Sequence, residues 1–295
     1  MHVFVTGGSG QTGPAVVAEL VSAGHTVTGL ARSDAAAARL ESVGATAYPG
    51  SLEDLDRLRG GAEAADGVLH MGYGGDFADP EPMILRDRNA IETFGRALEG
   101  TGKPLVVTSG TLVMPAGRET GELDEPDPAG VAAFRIVGEK ACLGFATRGV
   151  RAIVVRLAPT VHGPDDHGFI PLLVATARRT GVSAYVGDGG NRWPAVNRLD
   201  AAVLFRLALE KAPAGSVLHG VAENVTLRSI AETIARGLGV PAVSLTPDEA
   251  VAHFPSPFMA TIYGMDAPVV SAYTRKLLGW SPTHATLLDD LVVSD

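Results

Sequence analysis

Short apolar runs alternate with longer, helix-spaced ones through the first half of the chain. Val3–Val5 is a β-branched and aromatic run of the kind that forms a buried strand. The segment after it, Pro14–Leu20 (PAVVAEL), has helical apolar spacing, with Pro14 early in the run, where a missing N–H costs little. His25–Leu30, Ala45–Tyr48, Asp66–Met71, Pro104–Thr108 and Arg151–Arg156 read as five further strands. Helical patterns fall between them at Ala35–Leu40, Leu52–Leu58, Glu81–Leu98 and Val131–Thr147. Asp34 reads as the N-cap of the first of these. This alternation predicts an α/β fold, a doubly wound parallel sheet built mainly from residues 1–163. Residues 164–295 are less regular, with helices over Phe169–Thr180, Val203–Leu209 and Thr226–Leu238. They are expected to form a smaller C-terminal substrate lobe whose segments return to the sheet.

The junction of the first strand and helix carries the strongest chemical signal. Gly7, Gly10 and Gly13 recur at every third position, and Gly8, Gly10 and Gly13 spell G-x-G-x-x-G. Strand, glycine turn and helix together aim free backbone N–H groups and a helix N-terminus at a pyrophosphate. The segment Thr6–Gly13, TGGSGQTG, resembles the T-G-x-x-G-x-x-G of the extended and atypical short-chain dehydrogenases/reductases, the NAD(P)-dependent epimerase/dehydratase family. Trp193–Ala202 is similar to that family's V-x-x-x-D-x-A segment, and Leu278-Gly279-Trp280-Ser281-Pro282 to its closing L-G-W-x-P, so the resemblance spans nearly the whole chain.

The resemblance implies a Rossmann-type sheet with a dinucleotide on Gly7, Gly10, Gln11, Thr12 and Gly13. Arg32 and Ser33 follow the second strand, where a carboxylate would select NAD and an arginine accepts the 2′-phosphate of NADP; NADP(H) is therefore expected over NAD(H). Leu52 packs on the adenine in this reading; Ser51 stands where the family has an acid. Met71, Gly72, Thr108, Pro159 and Val161 complete the cofactor contacts.

Family enzymes of the usual kind also carry Tyr-x-x-x-Lys on the helix after strand five. The i, i+4 spacing sets an ammonium beside a phenol and lowers its pKa. Here Lys140 is the lysine candidate and also a ribose ligand, but Ile136 holds the tyrosine position. The usual serine falls near Gly110, flanked by Ser109 and Thr111. The proton donor must then come from elsewhere: Tyr73 on the loop Tyr73-Gly74-Gly75-Asp76-Phe77, Thr111, His162, or a water held by Lys140. Tyr73, Phe169, Trp193 and Asn197 are expected to face the nicotinamide from the substrate side, covered by the Phe- and Met-rich segment 253–265. His70 is read as a structural histidine, and Asp165, Asp166 and His167 as a solvated loop rather than a metal site.

Composition narrows the functional classes. The chain has 295 residues, 46% hydrophobic and 19% charged, as in an ordinary globular enzyme. A net charge of −9 argues against nucleic acid and anionic membranes as partners. One cysteine, Cys142, excludes an intrachain disulfide and reads as a buried thiol. No signal peptide or spanning run is apparent, so a cytoplasmic monomer or homodimer with a small-molecule substrate is expected. These features point to an NADPH-dependent reductase of a small, mainly apolar carbonyl compound. The alternatives are a non-catalytic NADP(H) sensor and a nucleotide-sugar epimerase or dehydratase.

Overall fold

The computed structural model describes residues 1–75, 79–164 and 166–291. Asp76 and Phe77 of the glycine-rich loop, and Asp165 of the run Asp165-Asp166-His167, lie outside the described residues. The first half alternates strand and helix: β1 (His2–Thr6), α1 (Gly13–Ser22), β2 (Thr26–Ala31), α2 (Asp34–Ser42), β3 (Thr46–Pro49), α3 (Leu55–Glu63), β4 (Gly67–His70), α4 (Glu81–Leu98), β5 (Pro104–Gly110), α5 (Ile136–Leu143) and β6 (Arg151–Leu157). Then come β7 (Thr160–His162), α6 (Phe169–Thr180), β8 (Ser183–Val186), β9 (Arg192–Asn197), α7 (Arg198–Lys211) and β10 (Ser216–Gly220). The chain ends with β11 (Glu223–Thr226), α8 (Leu227–Leu238), β12 (Ala242–Leu245), α9 (Pro247–His253), α10 (Pro257–Gly264), α11 (Ala272–Leu278) and α12 (Leu287–Asp290).

Seven strands form one parallel sheet in the order β10-β6-β5-β4-β1-β2-β3. This is a doubly wound, Rossmann-type α/β fold. Its period-2 residues divide cleanly. Val3, Val5, Val106, Ile153 and Val155 pack under α1 and α7. Phe4, Val68, Leu105, Val107, Ala152 and Val154 pack under α3, α4 and α5. Both faces are therefore covered, which is why the strands read as continuous apolar runs. The chain reverses direction across the sheet between β1 and β4, where ligands of such folds bind at the strands' C-terminal ends.

Beyond β6 the chain builds a second layer. β11, β9 and β7 form one small sheet and β12 pairs with β8 in another. Their shared core holds Phe169, Trp193, Phe254, Met259, Ile262 and Tyr263. The 253–265 segment is helix α10 and its flanks; Phe254, Met259, Ile262 and Tyr263 are spent on this core rather than on a loop over the cleft, while Phe258 is exposed. α7 and β10 meanwhile pack with the large sheet.

Two local expectations are corrected. Ser33, not Asp34, caps α2, its hydroxyl accepting from the Ala36 N–H at 3.3 Å. The helix expected over Val131–Thr147 is broken into a 3₁₀ turn at Ala133–Arg135, the short α5, and a second turn at Ala146–Arg148. Gly138 and Gly144 interrupt that stretch, and each weakens a continuous helix.

Candidate active site

The glycine turn forms one wall of a cleft at the sheet's C-terminal rim. The Gly10 N–H closes the turn onto the Gly7 carbonyl at 3.0 Å, and Gly7 has a φ of +74°. A Cβ on Gly13 would lie 2.3 Å from that carbonyl and 2.5 Å from Gly8, so only glycine lets the turn fold against the start of α1. Thr12, the residue before α1, makes no side-chain cap, which leaves the helix's first N–H groups for a ligand.

A groove of about 300 Å³ runs from this turn, lined by Gly7, Gly10, Leu30, Arg32, Leu52 and Gly72, with Tyr73 also on its wall. Ser33 lies beside Arg32 and Ser51 in the adjoining surface hollow. Below the groove, Thr6 Oγ1 accepts from the Gly72 N–H at 3.2 Å and donates to His70 Nδ1 at 2.6 Å; His70 Nε2 donates to Asp87 at 3.1 Å. Both ring nitrogens of His70 are thus used in a buried structural chain, which fixes Met71 and Gly72 against Gly7. Along the other side, Gln11 Nε2 donates to the Val161 carbonyl at 3.3 Å and to Asp166 at 2.5 Å. A cavity of about 330 Å³ opens there, lined by Gln11, Thr12, Pro159, Val161, Phe169 and Leu172, among others.

The opposite wall is made by β5, the loop after β4 and the approach to α5. The Arg135 guanidinium lies 3.6 Å above the Tyr73 ring centre, and Arg135 Nη2 donates to the Thr108 carbonyl at 2.5 Å. Phe134 stacks beyond Tyr73, with ring centres 6.5 Å apart and planes at 17°. Five buried polar atoms of this wall have no partner within the protein: Tyr73 OH, Thr108 Oγ1, Ser109 Oγ, Thr111 Oγ1 and Arg135 Nη1. Buried polar groups normally find partners, so such a cluster marks a place where a ligand belongs. Burial pushes the Tyr73 phenol above its ordinary value, against the pull of the Arg135 charge. It is therefore protonated at neutral pH.

Three expected site residues are elsewhere. Lys140 is exposed on the outer face of α5, in a hollow shared with Arg88, Glu92, Arg96 and Arg148. The phase of α5 explains this. Glu139 is drawn inward by Arg156, which it pairs with bidentately at 2.9 and 2.7 Å in a buried contact, and Gly138 and Cys142 also face inward. The next residue, Lys140, is thereby turned outward. The cation that faces the rim is Arg135, and the position one turn before it is Val131. Trp193 is fully buried in the second core against Phe169 and Tyr263 and cannot line the cleft. Asn197 caps α7, its Oδ1 accepting from the Leu199 N–H at 3.0 Å while its amide donates to Asp290 at 2.9 Å. Of the four residues expected to face the nicotinamide, the structure brings Tyr73 and Phe169 to the cleft.

His162 does not face the cleft either. It bonds Asp290 at 2.7 Å and lines a separate cavity of about 310 Å³ with Ile170, Pro171, Val174 and Leu287, on the opposite side of α6 from Phe169 and Leu172. Burial raises the Asp166 carboxyl above the usual range, and that side chain serves Gln11 and the Gly168 N–H. Burial likewise pushes the Cys142 thiol up to about 12, which makes it inert.

The model of the NAD-dependent epimerase/dehydratase family matches residues 3–219. The chain belongs to that family. A Schizosaccharomyces pombe protein described as uncharacterized is 45% identical over 99% of this chain and 98% of its own length. A Stigmatella aurantiaca ketoreductase, named for a 4-hydroxy-2-methyl-3-oxo-4-farnesyl-3,4-dihydroquinoline-1-oxide, is 28% identical over 74% of this chain and 67% of the relative. A Streptomyces lividans UDP-glucose 4-epimerase is 28% identical over 99% of this chain and 94% of the relative. With its family, the chain is an NAD(P)-dependent enzyme of the short-chain dehydrogenase/reductase type. The crowded Gly7–Gly13 turn, the open start of α1 and the unpartnered atoms of the far wall fit a dinucleotide lying between them. Among the described residues no helix is long and apolar enough to cross a membrane.

Proposed function

We propose that the protein is an NADPH-dependent reductase of a small, mainly apolar carbonyl compound, with Tyr73 as the proton donor. The observation that carries this reading is the Tyr73–Arg135 pair. Neither Val131 nor Ile136 has a proton to give, whereas Tyr73 holds a buried phenol against a guanidinium that cannot lose its charge. Bound NADPH would supply a hydride. The chain's own contribution is to orient the carbonyl through the Thr111 and Ser109 hydroxyls, exclude water and give the proton from Tyr73 Oη. Arg135 stabilises the phenolate left behind. In this reading Thr108 and Arg135 hold the nicotinamide ribose, a role in which Arg135 takes the place of Lys140.

The space available supports this substrate class. The interior of the second lobe is filled by Phe169, Trp193, Phe254 and Tyr263 in edge-on and tilted contact, and the cavity of about 330 Å³ beside it is walled by Pro159, Val161, Phe169 and Leu172, which suits a small apolar compound. The ketoreductase relative supports the same chemistry. Arg32 lines the groove and Ser33 lies just beyond it, where a 2′-phosphate would be read, which supports NADPH over NADH.

The tests are NADPH oxidation against a panel of ketones, aldehydes and enones and, with NAD⁺ supplied, product analysis of UDP- and dTDP-glucose, whose epimerisation or dehydration leaves the cofactor unchanged overall. Reduction of apolar carbonyls is expected. Turnover of the nucleotide sugars alone would transfer the site to epimerase or dehydratase chemistry. Tight NADPH binding without any turnover would make the protein a sensor.

A further inference from the structure

Arg86, on the second turn of α4, touches both ends of the cofactor groove. Its Nη1 pairs with Glu53 at 3.0 Å, on the loop after β3 at the adenine end. Nη2 donates to the Gly74 carbonyl, in the loop that carries Tyr73. Glu53 is itself set in place: the Ser51 hydroxyl and the Arg86 guanidinium hold its carboxyl below the usual range. Ser51, Glu53, Tyr73, Gly74, Gly75 and Arg86 all line the same groove.

Arg135 and Phe134 hold the Tyr73 ring of this loop, and Arg86 grips the backbone beyond it. Gly74 and Gly75 have φ of +140° and +148°, a region where the backbone gains nothing from regular structure. A Cβ on Gly75 would lie 2.6 Å from Met83 Cγ and 3.3 Å from Arg86 Nη2, so the loop is pressed onto the first turns of α4. Among the described residues, the charge-assisted bond from Arg86 to the Gly74 carbonyl is a directional contact between this loop and the helix.

We propose that Arg86 is a positioning residue: through Gly74 it holds Tyr73 at the cleft, and through Glu53 it ties that placement to the adenine wall. Occupation of the adenine end thereby steadies the proton donor at the other end. The inference rests on the reading of Tyr73 as donor only for its effect on rate; its structural half stands apart.

Hydrogen exchange on the full-length protein tests the structural half without turnover. In the cofactor-free protein, Arg86→Ala should speed exchange of the 72–75 amides about tenfold or more, the loss of one charge-assisted hydrogen bond, while amides 7–13 keep their protection. Arg88→Ala, on the outer face of α4, should change neither. NADPH should protect 72–75 in the wild type and fail to do so in Arg86→Ala and Glu53→Gln. Wild-type exchange at 72–75 in Arg86→Ala would overturn the proposal. For the rate, Arg86→Ala should slow single-turnover reduction about tenfold in the wild type and leave Tyr73→Phe unaffected. Independent, multiplying effects would overturn the coupling. Full turnover by Tyr73→Phe would instead remove Tyr73 as donor, with the exchange result still deciding what Arg86 does.

Discussion

The two walls of the cleft are made in different ways. The glycine wall is a backbone object: Gly7, Gly10 and Gly13 fold a turn closed by the Gly10 N–H on the Gly7 carbonyl, and its close approach to α1 follows from the missing Cβ of Gly13. The β5–α5 wall is a side-chain object. Its chemistry depends on which residues α5 and the loop after β4 turn toward the rim, and that phase is fixed by one buried ion pair, Glu139–Arg156. Insertion of the wrong atom breaks the first wall, and rotation of a helix by a single residue rewrites the second.

The largest effect should come from the pair that fixes this phase. Glu139→Gln leaves a buried arginine without its counter-charge, and removing one partner of such a pair costs about 3–5 kcal/mol. Urea unfolding should show a loss of that size, and a loss below about 1 kcal/mol would mean that the pair does not hold α5. On the glycine wall, Gly13→Val should weaken NADPH binding by roughly 10²-fold or more, because the turn must open to admit the side chain. Wild-type affinity in a fluorescence titration would contradict the close approach of Gly13 to Gly7. Arg32→Ala, on the same wall, should remove most of the preference for NADPH over NADH, roughly tenfold to a hundredfold for a charged hydrogen bond. Unchanged selectivity would place the 2′-phosphate elsewhere.

A pH profile sharpens the contrast further. Burial raises the Tyr73 phenol, so the donor carries its proton across the neutral range and loses it only as pH climbs past that raised value. Reduction should therefore be flat through neutrality and fall on the alkaline side, above about pH 10 for an ordinary phenol. The alkaline fall should vanish in Tyr73→Phe. A profile governed by a group near 6–7 would point to a histidine, although His162 is turned to the far side of α6.

The same contrast explains what the amino-acid sequence reveals. The central strands β1, β5 and β6 are legible because both sheet faces are covered there, so each carries an unbroken apolar run. The glycine turn is legible because its spacing is its function. Lys140 misleads for a physical reason: lysine four residues after a candidate position defines a helix face only when the helix phase is known, and α5 is too short and too broken to reveal it. Glu139 and Arg156 set that phase across 17 residues of sequence, a pairing with no local signal. Arg135 could have been noticed as a second cation near the start of α5, but its stacking on Tyr73 spans a separation that no periodicity records. Trp193 and Asn197 lie in a family-like segment, yet one fills a core and the other caps a helix. Aromatic and amide residues serve such structural ends more often than they meet ligands.

The most direct test compares Tyr73→Phe with Lys140→Ala in single-turnover reduction by NADPH, with cofactor affinity measured alongside. The account predicts that Tyr73→Phe slows the chemical step by about 10²–10⁴-fold, the usual worth of an acid–base group, with little change in NADPH affinity. Lys140→Ala, on the outer face of α5, should match the wild type in both. Loss of turnover in Lys140→Ala with full turnover in Tyr73→Phe would contradict the account and return the catalytic role to the helix.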